Sequence, residues 1–244
     1  MRYGIFSDVH SNLEALEAVL KAYEQEKVGQ YCCVGDIVGY AADPRECVAK
    51  VSSLPGTAVA GNHDWAAAGL FPSEYFNSFA RQAIAWTKSA LSESPGFAYL
   101  AALQPVSRNH DLALAHGTLD EPQRFDYMLG FSEAAATFAA LGQDNICFVG
   151  HTHVAGIIIR DESGGMRWET GGSCRIAKGK KYIVNVGSVG QPRDRDPRAA
   201  YCVYDSETSQ VRIKRVAYDI RKAAGKIAEN GLPVFLGERL LTGT

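Results

Sequence analysis

The chain has 244 residues, of which 46% are hydrophobic and 21% charged, a balance typical of a folded protein with a sizeable core. Its 25 basic and 27 acidic side chains give a formal net charge of −2, which argues against long nucleic acid as a partner. No apolar run approaches the ~18 residues of a membrane span, so we expect no membrane segment. The six cysteines form no CxxC pair, which favours a reduced, cytoplasmic location.

The first 64 residues alternate between strand and helix patterns. Three short apolar runs predict buried strands, at residues 2–6, 31–34 and 57–61. Residues 11–27 predict a helix, which Ser11 and Glu14 would open as a capping box. A second helix begins at Asp43 and Pro44, a cap followed by a first-turn proline. This alternation predicts an α/β fold with a parallel sheet and right-handed crossovers.

The pattern changes after residue 64. Residues 65–95 and 117–143 are rich in alanine and aromatic residues at helical spacing. We expect them to be helical insertions over one face of a single domain that spans residues 1–244. Two apolar runs beside them predict strands, at residues 112–115 and 145–149. From residue 154 onward, strands separated by Gly-rich turns dominate, and a helix follows near residues 219–230.

A short polar motif follows each of the five predicted strands before residue 154. In chain order, the motifs are SDVH, GDIVGY, GNHD, AHG and GHTH. Ligands bind outside the carboxyl ends of strands in open α/β sheets, so we expect the motifs to meet at one edge. They supply eight candidate site residues, namely Asp8, His10, Asp36, Asn62, His63, His116, His151 and His153. Turn geometry explains Asp and Asn after a strand but not five of the six histidines; the sixth, His110, is expected to be a surface or turn residue.

The mixture of imidazole, carboxylate and amide groups indicates a metal site. Such a mixture suits Mn²⁺, Fe or Zn²⁺, whereas an all-oxygen set would favour Mg²⁺ or Ca²⁺. The set is too large for one tetrahedral ion and fits two ions that share a carboxylate. Two ions about 3.5–4 Å apart can hold the attacking and leaving oxygens of a displacement and supply a nucleophilic hydroxide. The absence of thiolates from the set argues against structural zinc.

The order of these five motifs resembles the calcineurin-like metallophosphoesterases. The stretch NVGSVGQPRD at residues 185–194 is also similar to bacterial members related to small phosphodiesterases and diadenosine polyphosphate hydrolases. The resemblance implies a four-layer α-β-β-α sandwich with two mixed sheets and a dimetal centre at one edge. It also implies a hydrolase that uses two divalent ions, Mn²⁺ first and Fe or Zn²⁺ as alternatives. Its substrate would be a small phosphodiester or phosphoanhydride, most simply a nucleotide, attacked by a metal-bridged hydroxide.

The resemblance also assigns a role to each motif residue. One ion would be held by Asp8, His10, Asp36 and His153. Asp36 would bridge to a second ion, held also by Asn62, His116 and His151. His63 would be catalytic, and would either protonate the leaving alkoxide or hold a phosphoryl oxygen. Asp64 would either orient a neighbour or simply begin the next helix.

One motif departs from the pattern of protein phosphatases and symmetrical diadenosine tetraphosphatases. Those relatives carry Asp-Arg-Gly or Ala-Arg-Gly where this chain has Gly39, Tyr40 and Ala41, so their phosphate-binding arginine is missing. Arg193 is a candidate replacement, because guanidinium binds phosphate bidentately; the alternative is a solvated turn. Tyr40 suits a diester or an internal anhydride phosphate better than a monoester; the alternative is packing under the next helix.

Other functions stay open at this point. A serine/threonine-type phosphomonoesterase and a non-catalytic scaffold of the same fold are the alternatives. A scaffold is free to lose a histidine, and this chain keeps the whole motif set, which favours an enzyme. We expect residues 65–95 and 117–143 to form the substrate-side wall, where Trp65, Phe71 or Tyr75 could stack on a base. A homo-oligomer is compatible with the sequence.

Overall fold

The computed structural model describes residues 1–109, 112–169 and 172–244; His110 therefore lies outside the described residues. The described strands are β1 (Arg2–Phe6), β2 (Gln30–Cys33), β3 (Gly56–Ala58), β4 (Val106–Asn109), β5 (Leu112–Ala115), β6 (Ile146–Val149), β7 (Gly156–Arg160), β8 (Met166–Glu169), β9 (Ser173–Arg175), β10 (Lys181–Asn185), β11 (Ala199–Asp205) and β12 (Gln210–Val216). The described helices are α1 (Leu13–Gln25), α2 (Pro44–Ser53), α3 (Asn62–Ala67), α4 (Ser78–Leu91), α5 (Pro95–Ala102), α6 (Phe131–Ala140), α7 (Ile220–Glu229) and α8 (Val234–Thr242). Short 3-10 helices lie at Ser73–Tyr75 and Pro122–Arg124.

The strands form two mixed sheets of six. The first has the order β3-β2-β1-β11-β12-β9 and the second has the order β4-β5-β6-β10-β7-β8. In the first sheet β1, β2 and β3 are parallel, and β11 joins β1 antiparallel. In the second sheet β5, β6 and β10 are parallel, flanked by antiparallel β4 and β7. The predicted α/β class with two mixed sheets is confirmed.

Alternating side chains along the strands divide the core into layers. In β1 Ile5 packs between the sheets and Phe6 packs outward against helices. In β6 Phe148 faces the inter-sheet core and Cys147 faces α6. Helices α1, α2 and α5 cover the first sheet, and α6 covers the second. The four layers are therefore helix, sheet, sheet and helix.

The start of α1 differs from the sequence prediction. Asn12, not Ser11, caps the helix, and its Oδ1 accepts a hydrogen bond from the backbone N–H of Ala15 at 3.1 Å. Ser11 has a left-handed backbone (φ 60°), and its hydroxyl accepts from the backbone N–H of Gly39 at 3.2 Å. The predicted Ser11–Glu14 capping box is therefore wrong, because the loop after β1 needs Ser11 for the turn into the site.

Helices α7 and α8 form a C-terminal hairpin that the sequence prediction covered only in part. It predicted α7 but missed α8, which begins directly after Pro233. Buried Ile227 of α7 and Leu236 and Leu240 of α8 pack in one cluster with Tyr40. The hairpin therefore supports the loop that follows β2. Among the described helices, none has the length and hydropathy that crossing a bilayer requires.

Candidate metal centre and substrate cleft

All eight predicted motif residues meet at the carboxyl ends of β1, β2, β3, β5 and β6. Because β1 to β3 belong to one sheet and β5 and β6 to the other, both sheets contribute to the cluster. Each of the eight side chains is buried, and the most exposed, Asn62, is only 7% accessible. Burying this many polar groups together is costly unless charges or metal ions compensate them. The geometry therefore indicates a functional site.

The backbone at the site is bent inward by left-handed residues. Five motif residues have φ between 49° and 66°, namely Asp8, His10, Asp36, His151 and His153. This conformation costs a non-glycine residue about 1–2 kcal/mol. Backbone hydrogen bonds between motifs hold it in place, including Asp8 N–H to Gly35 O and His10 N–H to Asp36 O, both at 3.0 Å. This left-handed conformation directs the motif side chains that follow different strands toward the same cluster.

Two glycines in the motifs are required because neighbouring side chains lie where a Cβ atom would be. Gly39 has φ 143°, and a Cβ at this position would lie 2.5 Å from Nδ1 of His10 and 3.0 Å from Nδ1 of His63. A Cβ at Gly61 would collide with the Asp36 carboxylate. Any larger residue at either position would push the imidazoles or the carboxylate out of the cluster. The glycines therefore belong to the site itself as well as to its turns.

The first cluster contains Asp8, His10 and His153. Nδ1 of His10 lies 3.2 Å from the carbonyl oxygen of Val38, and Nδ1 of His153 lies 2.5 Å from that of Gln191. A carbonyl can only accept, so both rings donate from Nδ1 and turn Nε2 toward the cluster. The two Nε2 atoms are 3.0 Å apart, and Nε2 of His153 is 3.1 Å from Oδ1 of Asp8. Three lone-pair donors converging in this way fit a metal ion.

The second cluster contains Asp36, Asn62, His116 and His151. Nδ1 of His116 donates to the carbonyl of Val34 at 2.8 Å, which leaves Nε2 free for a ligand. That Nε2 lies 3.1 Å from Nδ1 of His151 and 3.2 Å from Oδ2 of Asp36. Within the described ranges, Oδ1 of Asn62 and Nε2 of His151 are buried without a hydrogen-bond partner. The convergence of Asp36, His116 and His151, with the unpartnered amide oxygen of Asn62 in the same cleft, fits a second metal ion.

Asp36 lies between the two clusters. Its Oδ1 accepts a hydrogen bond from the backbone N–H of His63 at 2.8 Å. Its Oδ2 is 3.6 Å from Nε2 of His10 in the first cluster and 3.2 Å from Nε2 of His116 in the second. Asp36 is therefore placed so that one oxygen could serve both ions, as a bridging ligand does.

The electrostatics of the cluster favour bound positive charge. Burial acts to raise the pKa of Asp36, but the facing imidazoles of His116 and His63 outweigh it and lower the pKa. For His116, burial acts to lower the pKa, but the carboxylates of Asp36 and Asp8 raise it to about 9. Burial and the neighbouring His116 lower the pKa of His151 to about 3. The carboxylate of Asp36 and the imidazole of His151 therefore have the protonation states that metal binding requires, whereas His116 holds a proton that a metal ion must displace.

His63 lies at the boundary between the cluster and the cleft. Its ring is in edge contact with Tyr40 and Phe76, at centroid distances of 4.6 and 4.8 Å. Its Nδ1 is buried and has no hydrogen-bond partner among the described residues. His63, His10 and Asp36 also offer ligand atoms within 4.8 Å of one another. These distances allow His63 to act either as a metal ligand or as a group that contacts the substrate.

Asp64 ties two motifs together. Its Oδ1 accepts from the backbone N–H of Val38 at 3.1 Å, and its Oδ2 accepts from the backbone N–H of Gly61 at 3.0 Å. Burial and the nearby Asp36 carboxylate raise the pKa of Asp64 to about 7. Asp64 thus orients the second motif while it caps α3, so both roles considered from the sequence apply.

Arg193 lies beside the cluster and contacts Tyr40. Its Nη2 is 3.3 Å from Oη of Tyr40 and 2.9 Å from Oε1 of Gln191. Its backbone N–H donates to the carbonyl of His153 at 3.2 Å. Tyr40 is 8% exposed, and its ring lies 4.5 Å from that of His10. Arg193 is therefore held beside the Asp/His cluster through Tyr40, Gln191 and the backbone of His153.

A cleft of about 780 Å³ opens directly onto the cluster. Asn62, His63 and His151 line its floor, and its walls are formed by residues 123–127 together with Phe71, Tyr75, Phe76, Asn77 and Ala80. Phe71 and Tyr75 belong to these walls. Trp65 packs instead against Phe125 at 5.4 Å, and its indole N–H donates to the carbonyl of Leu103 at 3.1 Å. Both predicted insertions reach the cleft, but Trp65 has a structural role.

Sequence reasoning missed two residues of the site. Gln191 supplies the carbonyl that orients His153, and its side chain contacts Arg193. Tyr127 lies face to face with His151, with ring centroids 3.8 Å apart and an interplanar angle of 20°. The tail motif around residue 191 was a signal for the first. Nothing in the local pattern around Tyr127 distinguishes it from an ordinary surface tyrosine.

Comparisons with known proteins agree with this geometry. A family model for the calcineurin-like phosphoesterase superfamily domain matches residues 1–209. The structure of a metallophosphoesterase from Sphaerobacter thermophilus is similar, with a TM-score of 0.87 and 40% identity over 100% of this chain and 99% of that one. An uncharacterized protein of Methanocaldococcus jannaschii is 37% identical over 98% of this chain and 97% of its own. The structure of a hypothetical protein from Pyrococcus horikoshii shares the fold, with a TM-score of 0.80, 19% identity and coverage of 100% and 98%.

The fold and the Asp/His cluster define a metal-dependent phosphoesterase. The chain belongs to the calcineurin-like phosphoesterase superfamily. It is therefore a hydrolase that acts on phosphate esters, from a dimetal-dependent family, and its His/Asp groups are candidate metal ligands. The family resemblance predicted from the five motifs is confirmed.

Proposed function

We propose that the protein hydrolyses a phosphodiester or phosphoanhydride bond in a small nucleotide. The observation that carries this proposal is the aromatic-walled cleft, whose floor is formed by Asn62, His63 and His151. Its volume of about 780 Å³ is in the usual range for small-molecule sites. A substrate bound there would place its phosphate on the Asp/His cluster and its remaining groups against the walls.

In this proposal the ligands divide between two ions. One ion is held by Asp8, His10, Asp36 and His153, and the other by Asp36, Asn62, His116 and His151. When bound, the two ions would polarise the phosphoryl group and lower the pKa of a water molecule. The nitrogen and oxygen donors favour Mn²⁺, with Fe or Zn²⁺ as alternatives.

His63 and Arg193 act on the substrate rather than on the ions. His63 reaches both the cluster and the cleft, so it can hold a phosphoryl oxygen or pass a proton to the leaving group. Arg193 binds a non-bridging oxygen, since the hydroxyl of Tyr40 holds its guanidinium at 3.3 Å. The phenol of Tyr40 stands where the phosphatases have their arginine, and its single neutral hydrogen bond suits a diester or an internal anhydride phosphate.

The aromatic residues of the cleft walls favour a substrate that carries a nucleobase. The ring of Phe71 contacts those of Tyr75, Phe76 and Phe125, at centroid distances of 5.6, 6.0 and 5.3 Å. Tyr75 is 79% exposed, so its face is open to a ligand. Stacking of a base on an aromatic ring contributes about 1–3 kcal/mol. Asn77 and Gln123 line the same cleft and can bond to polar base edges.

We also propose that residues 1–244 form one domain and that the protein is cytoplasmic. The family model ends at residue 209, but Leu236 and Leu240 beyond it pack in one cluster with Tyr40. This packing supports a single folding unit with the two helical segments as insertions. The six cysteines are free thiols and five are buried, which supports a reducing compartment.

A substrate panel tests the proposed function. Nucleotide diesters, dinucleoside polyphosphates, aryl monoesters, aryl diesters and phosphoserine peptides would be assayed with Mn²⁺, Fe²⁺, Zn²⁺ and Ca²⁺. We expect the highest kcat/KM for a nucleotide diester or anhydride with Mn²⁺. Preference for phosphoserine peptides would support the phosphomonoesterase alternative, and no turnover of any substrate with any ion would support the scaffold.

A further inference from the structure

Tyr127 occupies a special place beside the second cluster. The rings of His10, His116 and His153 each donate through Nδ1 to a backbone carbonyl, which fixes their planes. For His151 no such carbonyl contact occurs among the described residues; its Nδ1 faces His116, and its Nε2 has no partner. The plane of the His151 ring is instead defined by Tyr127, which stacks on it with ring centroids 3.8 Å apart and an interplanar angle of 20°.

Tyr127 and Tyr40 contact different clusters. The ring of Tyr40 packs on His10 at 4.5 Å, and its hydroxyl accepts a hydrogen bond from Arg193 at 3.3 Å. The ring of Tyr127 packs on His151 at 3.8 Å. Both tyrosines line the cleft.

We propose that Tyr127 is a positioning residue for the second cluster. Its ring holds the imidazole of His151 in the plane that a metal ion in this cluster requires. This function depends on metal binding and not on the identity of the substrate.

The function of the ring can be tested by substitution because Tyr127 is 48% exposed and replacing it leaves the core intact. Tyr127→Phe keeps the stacked ring and removes the hydroxyl. Tyr127→Leu removes both. Phe79→Leu is the matched control, since Phe79 is 42% exposed and its ring stacks on Phe235, at 5.0 Å, rather than on a site histidine.

Calorimetric titration of chelator-stripped protein with Mn²⁺ tests whether the Tyr127 ring contributes to metal binding. Groups that orient a metal-binding histidine typically contribute about 10- to 100-fold to metal affinity. We therefore expect Tyr127→Leu to weaken one of two Mn²⁺ binding steps by about 10-fold or more. Tyr127→Phe and Phe79→Leu should match the wild type. Wild-type binding by Tyr127→Leu, or equal loss in Phe79→Leu, would overturn the proposal.

Steady-state kinetics with bis(p-nitrophenyl) phosphate give a second readout of the ring. Tyr127→Leu should need about 10-fold or more Mn²⁺ for half-maximal rate, whereas Tyr127→Phe and Phe79→Leu should match the wild type. An unchanged Mn²⁺ requirement in Tyr127→Leu would contradict the proposal. If the wild-type enzyme does not cleave this diester, the proposed function fails, and the titration still decides the function of the ring.

Discussion

His10 and His153 point their Nε2 atoms at each other across 3.0 Å, although both rings already donate Nδ1 to backbone carbonyls. Two Nε2 lone pairs at this distance repel each other unless a cation, either a proton or a metal ion, lies between them. Ligand atoms about 2.0–2.1 Å from a common ion would have this spacing. The pair is therefore the strongest single sign in the structure that the cluster is built for metal.

Removal of divalent metal should abolish turnover and lower the Tm, because bound ions stabilise the folded state only. Mn²⁺ should restore both properties better than Ca²⁺, since Ca²⁺ prefers all-oxygen ligands. Activity assays and thermal unfolding before and after chelation, with metal content checked by elemental analysis, make the comparison. Full activity in metal-free protein would contradict the account.

Asp36→Asn should reduce the bound metal more than any other single ligand change. The substitution keeps the shape of the side chain but removes the charge that lies between the two clusters. The control is Asp43→Asn, which changes a carboxylate that pairs instead with Lys226 at 2.9 Å. Elemental analysis should find less metal in Asp36→Asn and wild-type metal in Asp43→Asn; equal content in both would argue against a bridge.

His63→Ala should keep both ions and lose about 10²–10⁴-fold in kcat, the usual contribution of a group that moves a proton at the reacting bond. Its imidazole is close enough to His10 and Asp36 to be a ligand, so metal content decides the matter. A variant that has lost half its metal would show that His63 is a ligand.

Tyr75→Ala should raise KM for a nucleotide substrate by about 5- to 100-fold, the range that loss of one stacked base predicts. A small nitrophenyl ester should be unaffected, because it does not extend to Tyr75. Phe79→Ala serves as the control, since Phe79 packs on Phe235 outside the cleft. Equal effects of Tyr75→Ala on both substrates would speak against base stacking.

Arg193→Gln should lower kcat/KM for a diester by about 10- to 100-fold, as expected for loss of a charged hydrogen bond. Tyr40→Phe should have a smaller effect in the same direction, because it removes only the hydroxyl that holds the guanidinium. Kinetics of both variants on the same diester provide the measurement. Wild-type kcat/KM in Arg193→Gln would show that the phosphate is bound elsewhere.

The convergence of motifs within each sheet could be predicted from the sequence because parallel strands place their carboxyl ends at one edge. That rule needs only strand positions, but Asp8 follows a strand of the first sheet and His153 a strand of the second, so their meeting also depends on how the two sheets pack. The cap of α1 could not be predicted, because the left-handed backbone of Ser11 (φ 60°) is imposed by the loop after β2. Tyr127 could not be found either, since its importance lies in a tertiary stack on His151.

Anomalous diffraction from crystals soaked with Mn²⁺ tests the central claim most directly. The account predicts two peaks about 3.5–4 Å apart. One should lie among Asp8, His10 and His153, the other among Asn62, His116 and His151, with the Asp36 carboxylate between them. A single peak, or manganese bound away from these side chains, would contradict the dimetal centre on which the proposed phosphoesterase mechanism depends.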